Sequence, residues 1–179
     1  MDLILETDRL LLRKIQLEDA QSLFEMDNNP NVHQYLGNHF VTSIDEVYQY
    51  IDKIQKQYIS NGIGRFAVVL KETQEVIGWA GIKFITEPEN NHVNFYDLGY
   101  RLQEKHWRKG YAIEAASAWL KYGFNEMKIP IIYALAHIEN LGSNTILQKI
   151  GMKQNGQFFY EDLLCNWYEL ENPNKPFNK

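Results

Sequence analysis

The order of strand-like and helix-like segments limits the fold of this chain more than any other feature of its sequence. Three strand-like segments lie at residues 65–70, 76–85 and 93–102, separated only by a turn and a short polar loop. Connections this short favour antiparallel neighbours. Elsewhere, apolar residues that recur every three or four positions predict helices. One of them begins after Ser43, with Glu46 as the reciprocal capping acid, and ends at Gly62. The complete predicted order is β-α-α-β-β-β-α-β-α-β-β, which indicates an α/β (α+β) fold with a mixed sheet and about four helices.

The chain has the size and composition of one globular domain. Its 179 residues contain no repeat and no linker-like stretch. We therefore predict a single domain over residues 1–171 and a flexible tail over residues 172–179. Hydrophobic residues make up 45% of the chain and charged residues 23%, which excludes intrinsic disorder and a disulfide-rich scaffold.

Charge and cysteine content bear on partners and location. The formal net charge of -5 argues against nucleic acid as a partner, because nucleic-acid binders usually carry a basic excess. Cys165 is the only cysteine, so no internal disulfide can form, which fits a reducing compartment. The N-terminus is acidic where a signal peptide would be basic, and no apolar run reaches the roughly 20 residues of a membrane span. We expect a cytoplasmic protein that binds neither nucleic acid nor membrane.

A strand-to-helix junction is the first candidate binding site. It reads Arg108-Lys109-Gly110-Tyr111-Ala112. The start of a helix presents unpaired backbone N–H groups and the positive end of the helix dipole, and this combination binds phosphate groups. Gly110 leaves room for a ligand to approach the backbone. Taken alone, this pentapeptide is better explained as an ordinary turn with a solvated basic pair.

A second junction of the same kind follows a buried strand over residues 131–136. Asn140 and Ser143 lie where the next helix begins. Ligands of open α/β sheets bind beyond the carboxyl ends of strands, so the two junctions share one crevice if the strands at 93–102 and 131–136 are neighbours. Asn140 and Ser143 would then be placed to hydrogen-bond a ligand, although helix capping explains both residues as well.

Other chemically interesting residues are isolated along the chain. Asp97 interrupts an apolar strand, where a carboxylate is costly unless it is paired or faces a cavity. A base for proton removal is one explanation, and an exposed face or a structural ion pair is the other. The five histidines lack the spacing of helix-borne metal ligands, so we expect no metal. Cys165 is expected to be a packed small side chain rather than a nucleophile.

Four short motifs follow one another along residues 7–170, which is nearly the whole chain. They are Thr7-Asp8-Arg9-Leu10-Leu11-Leu12-Arg13 with Glu18-Asp19-Ala20, then Asp97-Leu98-Gly99-Tyr100-Arg101-Leu102, then Trp107-Arg108-Lys109-Gly110-Tyr111-Ala112-Ile113-Glu114-Ala115, and finally Glu139-Asn140, Ser143-Asn144 and Lys149-Ile150-Gly151-Met152. In this order they resemble the GNAT superfamily of N-acetyltransferases. The nearest branch is the one that contains the bacterial ribosomal-protein N-terminal (Rim-type) acetyltransferases. The resemblance favours a binding role for the first junction over an ordinary turn.

The resemblance implies a GNAT-like fold, in which two parallel strands of a mostly antiparallel sheet splay apart. It also implies acetyl-CoA as co-substrate, with no metal. The pyrophosphate of acetyl-CoA would be held by the backbone amides of Trp107, Arg108, Lys109, Gly110, Tyr111 and Ala112. Pantetheine would pair with the strand backbone of Tyr100, Arg101 and Leu102. Asn140 would bond the pantetheine arm, and Ser143, also at the cofactor, matches a serine acid that protonates the leaving thiolate. Asp97 would be the base, acting through water.

This chain departs from the family pattern at four positions, one of which is Asp97, where many relatives have the longer Glu. Trp107 stands where the loop often has Gln or Arg, and Arg108 stands where it often has Gly. Backbone contacts tolerate both residues, provided that Arg108 points outward. Leu147 occupies the place of a tyrosine acid that many relatives carry in the helix after Asn140.

The function implied by the resemblance is acetylation of a primary amine, either a peptide N-terminus or a small amine, by a monomer or a homodimer. The acceptor pocket is expected to form from residues 28–40 and 157–166. A non-catalytic acyl-CoA-binding sensor or interaction module on the same fold is the alternative. A nucleotide-binding protein of unrelated chemistry is the third possibility.

Overall fold

The computed structural model describes residues 3–174, which form one eight-stranded sheet with helices on both faces. The strands are β1 (Ile4–Glu6), β2 (Leu10–Lys14), β3 (Arg65–Leu70), β4 (Val76–Ile85), β5 (Phe95–Leu102), β6 (Ile131–His137), β7 (Lys153–Tyr160) and β8 (Leu163–Glu171). The α-helices are α1 (Ala20–Asp27), α2 (Pro30–His33), α3 (Ile44–Asn61), α4 (Tyr111–Asn125) and α5 (Leu141–Lys149). Single 3₁₀ turns cover Leu17–Asp19 and Glu104–His106.

The sheet confirms the predicted mixed topology. Its strand order is β1-β2-β3-β4-β5-β6-β8-β7, and every neighbouring pair is antiparallel except β5 and β6. These two parallel strands pair only at Tyr96 with Ile132 and at Asp97 with Tyr133. Beyond that point they separate, as the resemblance implies.

Two elements differ from the predicted order. Residues 4–6 form a short strand of their own, ahead of the first predicted strand. The part of the chain at 3–174 also has five α-helices rather than about four, because residues 30–33 complete one turn. Pro30 at the first helical position and Asn29, whose side chain accepts from the Asn31 amide, favour that turn.

The start and end of α3 follow from its sequence. The Glu46 carboxylate accepts the backbone amides of Thr42 and Ser43, each at 3.0 Å, which completes a capping box. Gly62, in the left-handed conformation, ends the helix. Both features agree with the predicted helix.

The sheet separates two apolar cores. On one face α4 and α5 pack over the sheet, with Trp119 of α4 against Phe66 of β3, and on the other α1 and α3 pack over residues such as Trp79. Trp119 and Phe66 are fully buried, and each contributes on the order of 1.5–3 kcal/mol through the burial of apolar surface. This double-sided packing fixes the faces of β5 and β6, and therefore decides what their side chains meet.

The end of the described chain is attached to the domain. Asn172, within the predicted tail, is buried, and its side-chain amide donates to the carbonyls of Phe124 and Ile129 at 3.0 and 3.1 Å. The rest of the predicted tail, residues 175–179, lies outside the described residues. Within residues 3–174, no helix combines the length and hydropathy that a membrane crossing needs.

Candidate active site

A wedge-shaped gap opens in the sheet between residues 98–102 of β5 and residues 134–137 of β6. The two strands are paired up to Asp97 and Tyr133 and have no register beyond them. Backbone groups of β5 that face the gap are therefore placed to pair with an extended ligand, as β-strand edges do. The predicted pantetheine-binding residues Tyr100, Arg101 and Leu102 all lie here. The Leu102 carbonyl already accepts the indole N–H of Trp107 at 2.8 Å.

The loop ahead of α4 presents backbone donors to the end of this wedge. Along the described chain, the amides of residues 108–112 have no hydrogen-bond partner. Gly110 immediately precedes α4, so the positive end of the helix dipole lies at the same place. One prediction is wrong here. The amide of Trp107 donates to the Glu104 carbonyl at 3.0 Å, because a 3₁₀ turn ends there, so the cradle of free amides begins at Arg108.

The N-terminal motif braces this loop from behind. The Glu114 carboxylate accepts the Thr7 hydroxyl at 2.6 Å and the Arg9 backbone amide at 2.9 Å. The Arg9 guanidinium donates to Glu114 at 2.7 Å and to the Lys109 carbonyl at 2.9 Å, and it lies 4.5 Å from the centre of the Tyr111 ring. Burial opposes ionisation of Glu114, but the bonds from Thr7 and Arg9 prevail and lower its pKa. These contacts engage a loop carbonyl and leave the amides free.

Asp97 lies in an ion pair, one of the explanations that its sequence position left open. It is buried, and its carboxylate contacts the Arg65 guanidinium. Arg65 also donates to the carbonyls of Gly81 at 2.6 Å and Asp97 at 2.8 Å. Burial raises the pKa of the Asp97 carboxyl, and Arg65 opposes that rise. The ion pair fixes the carboxylate at the point where β5 and β6 begin to separate.

A second carboxyl group, Glu89, lies near Asp97 and was not predicted. It belongs to the loop between β4 and β5, whose His92 ring stacks on Trp167 with ring centres 5.2 Å apart and is tilted against Tyr133 at 4.6 Å. Burial and then repulsion from Asp97 raise the pKa of Glu89 to about 7. In the sequence this residue is part of a polar loop, and only the folding of that loop over the sheet brings it close to Asp97.

Asn140 and Ser143 begin α5 as the sequence suggested. The Asn140 side-chain oxygen accepts the Ser143 amide at 3.0 Å, so the capping role is real. The Tyr100 phenol donates to the Ser143 carbonyl at 3.1 Å, and its oxygen lies 3.1 Å from the Ser143 hydroxyl oxygen. This side-chain contact was not predicted, because only the backbone of Tyr100 was considered. Asp97 and Tyr100 are three residues apart on one strand, so they project to opposite faces of the sheet.

A cavity of about 290 Å³ lies on the α1 side of β5. It is lined by Asp27, His33, Leu36, His39, Val41, Val47, Tyr50 and Arg101. Buried Asp27 accepts from Arg101 at 2.8 Å and lies 3.2 Å from His33. Burial opposes ionisation of Asp27, but its bonds with His33 and Arg101 lower its pKa. Residues 28–40 therefore contribute to a cavity beside the wedge, whereas residues 157–166 do not line it.

Other candidate chemistries find no support in the part of the chain described. Over residues 3–174, no group of three or more His, Cys, Asp or Glu is arranged to hold a metal ion. Cys165 is buried, and burial raises the pKa of its thiol to about 11, so it is protonated near neutral pH. Its environment is that of the packed small side chain expected from the sequence.

Comparisons with known proteins agree with this geometry. Residues 9–153 match the family model of the acetyltransferase (GNAT) domain. The uncharacterized N-acetyltransferase p20 of Bacillus licheniformis is 34% identical over 152 residues, which are 85% of this chain and 83% of that protein.

Solved structures share the fold. The GNAT-family acetyltransferase from Bacillus anthracis has a TM-score of 0.80 and 27% identity, covering 95% of this chain and 99% of that one. The ribosomal-protein-S5-alanine acetyltransferase from Vibrio fischeri has a TM-score of 0.77 at 19% identity, covering 98% and 100%, and so shows likeness of fold. With its splayed strands and its loop of free amides, this chain belongs to the GNAT family of N-acetyltransferases, which transfer an acyl group from acetyl-CoA to an amine.

Proposed function

We propose that this protein transfers the acetyl group of acetyl-CoA to a primary amine, which is a peptide N-terminus or a small amine, by direct attack within a ternary complex. The observation that carries the proposal is the row of backbone amides at residues 108–112, which lack protein partners in the described chain and end at the positive pole of α4. Free amides at a helix start bind a diphosphate group well.

Each part of acetyl-CoA then has a matching part of the protein. The pyrophosphate is held by the backbone of Arg108 to Ala112, and pantetheine extends through the wedge along Tyr100 to Leu102. The side-chain oxygen of Asn140 caps α5, so its amide nitrogen is the group offered to pantetheine. This arrangement holds the thioester still, and positioning of two reactants supplies on the order of 7–11 kcal/mol of a barrier reduction.

Asp97 and Ser143 are the proposed proton-transfer groups. Burial of Asp97 supports the role of a base because it raises the pKa of the carboxyl, and Arg65 keeps the carboxylate fixed. The same ion pair occupies the carboxylate, which supports proton removal through a water molecule rather than directly. Ser143 lies at the first turn of α5, on the other side of the wedge, and is proposed to protonate the departing thiolate.

The amine acceptor is expected to enter from the face that carries Asp97. The cavity next to Arg101 extends that face towards α1 and α2. The net charge of -5 favours cationic acceptors through long-range attraction. We also propose a cytoplasmic location, on the grounds of the single free cysteine.

Release of free CoA thiol from acetyl-CoA, measured with a panel of amines and amino-terminal peptides, tests the proposal. We expect turnover with at least one amine. Asp97→Asn and Ser143→Ala should each slow this turnover, by no more than about 10⁴-fold, without ending it. Gln154→Ala, on β7, serves as a control for handling and folding. Tight binding of acetyl-CoA without turnover on any amine would favour the sensor alternative. Absence of CoA binding would refute both.

A further inference from the structure

The phenol of Tyr100 reaches the residue that we propose as the acid. Its oxygen lies 3.1 Å from the Ser143 hydroxyl and 3.1 Å from the Ser143 carbonyl oxygen. α5 itself has Leu147, a buried residue, where a tyrosine acid would stand. The structure thus brings a tyrosine to the beginning of α5 from the neighbouring strand, by a contact between residues 43 positions apart.

Tyr100 also borders the wedge between β5 and β6. It belongs to the part of β5 that has separated from β6, so its backbone borders the wedge where pantetheine is proposed to lie. Its side chain points away from the face of Asp97 and towards α5. Asp97, which is proposed to take a proton from the amine, therefore lies on one side of the proposed thioester position. Ser143 and Tyr100, which give a proton to sulfur, lie on the other side.

We propose that Tyr100 supplies, through the Ser143 hydroxyl, the proton that the departing thiolate of CoA takes up. The inference rests on the proposed function and adds to it the source of this proton. Tyr100 acts through Ser143 and is therefore a positioning residue and proton donor to Ser143, rather than a group in contact with the substrate.

Protons and electrons balance in the transfer of the acetyl group from sulfur to nitrogen. The amine nitrogen forms a bond to the carbonyl carbon, the carbon–sulfur bond breaks, and sulfur keeps the electron pair. Sulfur takes the proton of the Ser143 hydroxyl, while the Ser143 oxygen takes the proton of the Tyr100 phenol. The phenolate of Tyr100 recovers a proton from solvent, which has received one from the amine by way of Asp97. The net change is one proton moved from nitrogen to sulfur.

The chemistry of the two hydroxyl groups favours this direction of transfer. Burial raises the pKa of Tyr100 above its ordinary value, so the phenol is protonated at neutral pH and able to donate. A phenol is nevertheless a stronger acid than an aliphatic alcohol, so it restores the proton of Ser143 readily. The phenol has a single proton, which it donates to the Ser143 carbonyl in the structure. For the transfer, this hydrogen bond must break and the phenol must donate to the Ser143 hydroxyl oxygen instead.

Steady-state kinetics of Tyr100→Phe provide the first test. We expect kcat to fall about 10–100-fold, which is no more than the lower end of the roughly 10²–10⁴-fold typical of a general acid, while KM for acetyl-CoA changes less than about twofold. Tyr96→Phe is the matched control, because it also removes a tyrosine hydroxyl from this face of β5. The Tyr96 hydroxyl has no hydrogen-bond partner among the described residues. In a Ser143→Ala background, Tyr100→Phe should cause no further loss, because the relay is already broken.

Titration of CoA bound to the protein provides a second readout that needs no turnover. Thiolate absorbs ultraviolet light, so the pKa of the bound thiol can be measured in each variant. Donation from Ser143, itself supported by Tyr100, stabilises the thiolate, so the thiol pKa should be lower in the unaltered protein than in Tyr100→Phe. Tyr96→Phe should match the unaltered protein.

Two results would overturn the inference while leaving the proposed function intact. One is an active enzyme in which Tyr100→Phe changes neither kcat nor the thiol pKa. The other is losses from Tyr100→Phe and Ser143→Ala that multiply in the double variant. If the unaltered protein transfers no acetyl group to any amine, the proposed function fails and the inference fails with it.

Discussion

Replacement of Gly110 by alanine is the most direct test of the proposed phosphate-binding loop. Gly110 has φ of +82°, a backbone conformation that L-residues other than Asn and Asp rarely adopt. Holding alanine there costs about 1–2 kcal/mol. The new Cβ would lie 3.2 Å from the Arg9 guanidinium, which is a flexible group half-exposed to solvent and can move by a few tenths of an ångström. Backbone strain is therefore the larger effect.

The strain that Gly110→Ala introduces lowers the free energy of unfolding, the affinity for CoA, or both in part. If the loop keeps its conformation, the whole 1–2 kcal/mol appears in the free energy of unfolding. If the loop relaxes, its amides turn away from the diphosphate, and the same energy appears as an about 5–30-fold weaker CoA affinity. The sum of the two losses is the quantity that the structure predicts.

Urea unfolding and calorimetric titration with CoA measure these two losses separately. Gly110→Asn is the matched control, since asparagine tolerates positive φ and should lose less than alanine in spite of its larger side chain. Gly110→Glu should abolish CoA binding, because it adds a carboxylate beside the diphosphate. An alanine variant that is unaffected in both measurements would refute the loop assignment. An asparagine variant worse than alanine would show that side-chain volume, not strain, decides.

Two further predictions concern single side chains. Arg108 is exposed and has φ of +59°, so Arg108→Gly should relieve about 1–2 kcal/mol of strain and lose about 0.5–1 kcal/mol to the entropy of the unfolded chain. A small net rise of Tm should follow, and a fall in Tm would contradict it. The pKa of Glu89 is raised from 4.5 to about 7, so the folded protein retains a proton that the unfolded chain releases between these values. Stability should therefore fall as pH rises across that interval, and Glu89→Gln should flatten the slope in urea unfolding at a series of pH values. Parallel slopes in the two proteins would disprove the raised pKa.

The predicted elements of the sequence agree closely with the fold because the signals for them are local. The strand over residues 76–85 and the helix that begins after Ser43 occur as predicted, since alternation, apolar period and capping depend on residues at most a few positions apart. The single turn at residues 30–33 was missed because four residues are too few to show a helical period.

For the candidate site, the sequence predicted backbone elements better than contacts between side chains. The turn before α4 occurs where it was predicted, because its glycine and its place between strand and helix are visible in the sequence, and its role in binding stays a prediction. The amide of Trp107 was assigned wrongly, since nothing in the sequence shows that the 3₁₀ turn at residues 104–106 uses it. The titration of Glu89 depends on a loop folding over the sheet, which local pattern does not report.

By itself, the sequence determined most of the order of elements, the family and the position of the turn before α4, because these depend on short-range patterns. Only the tertiary structure decided which side chains meet: Arg65 with Asp97 across 32 positions, Tyr100 with Ser143 across 43, and Arg9 with Glu114 across 105. Such partners are chosen by strand register and by the face to which each side chain points. The residues next to a charged or hydroxyl group in the sequence do not indicate which distant residue will neutralise it or accept its proton.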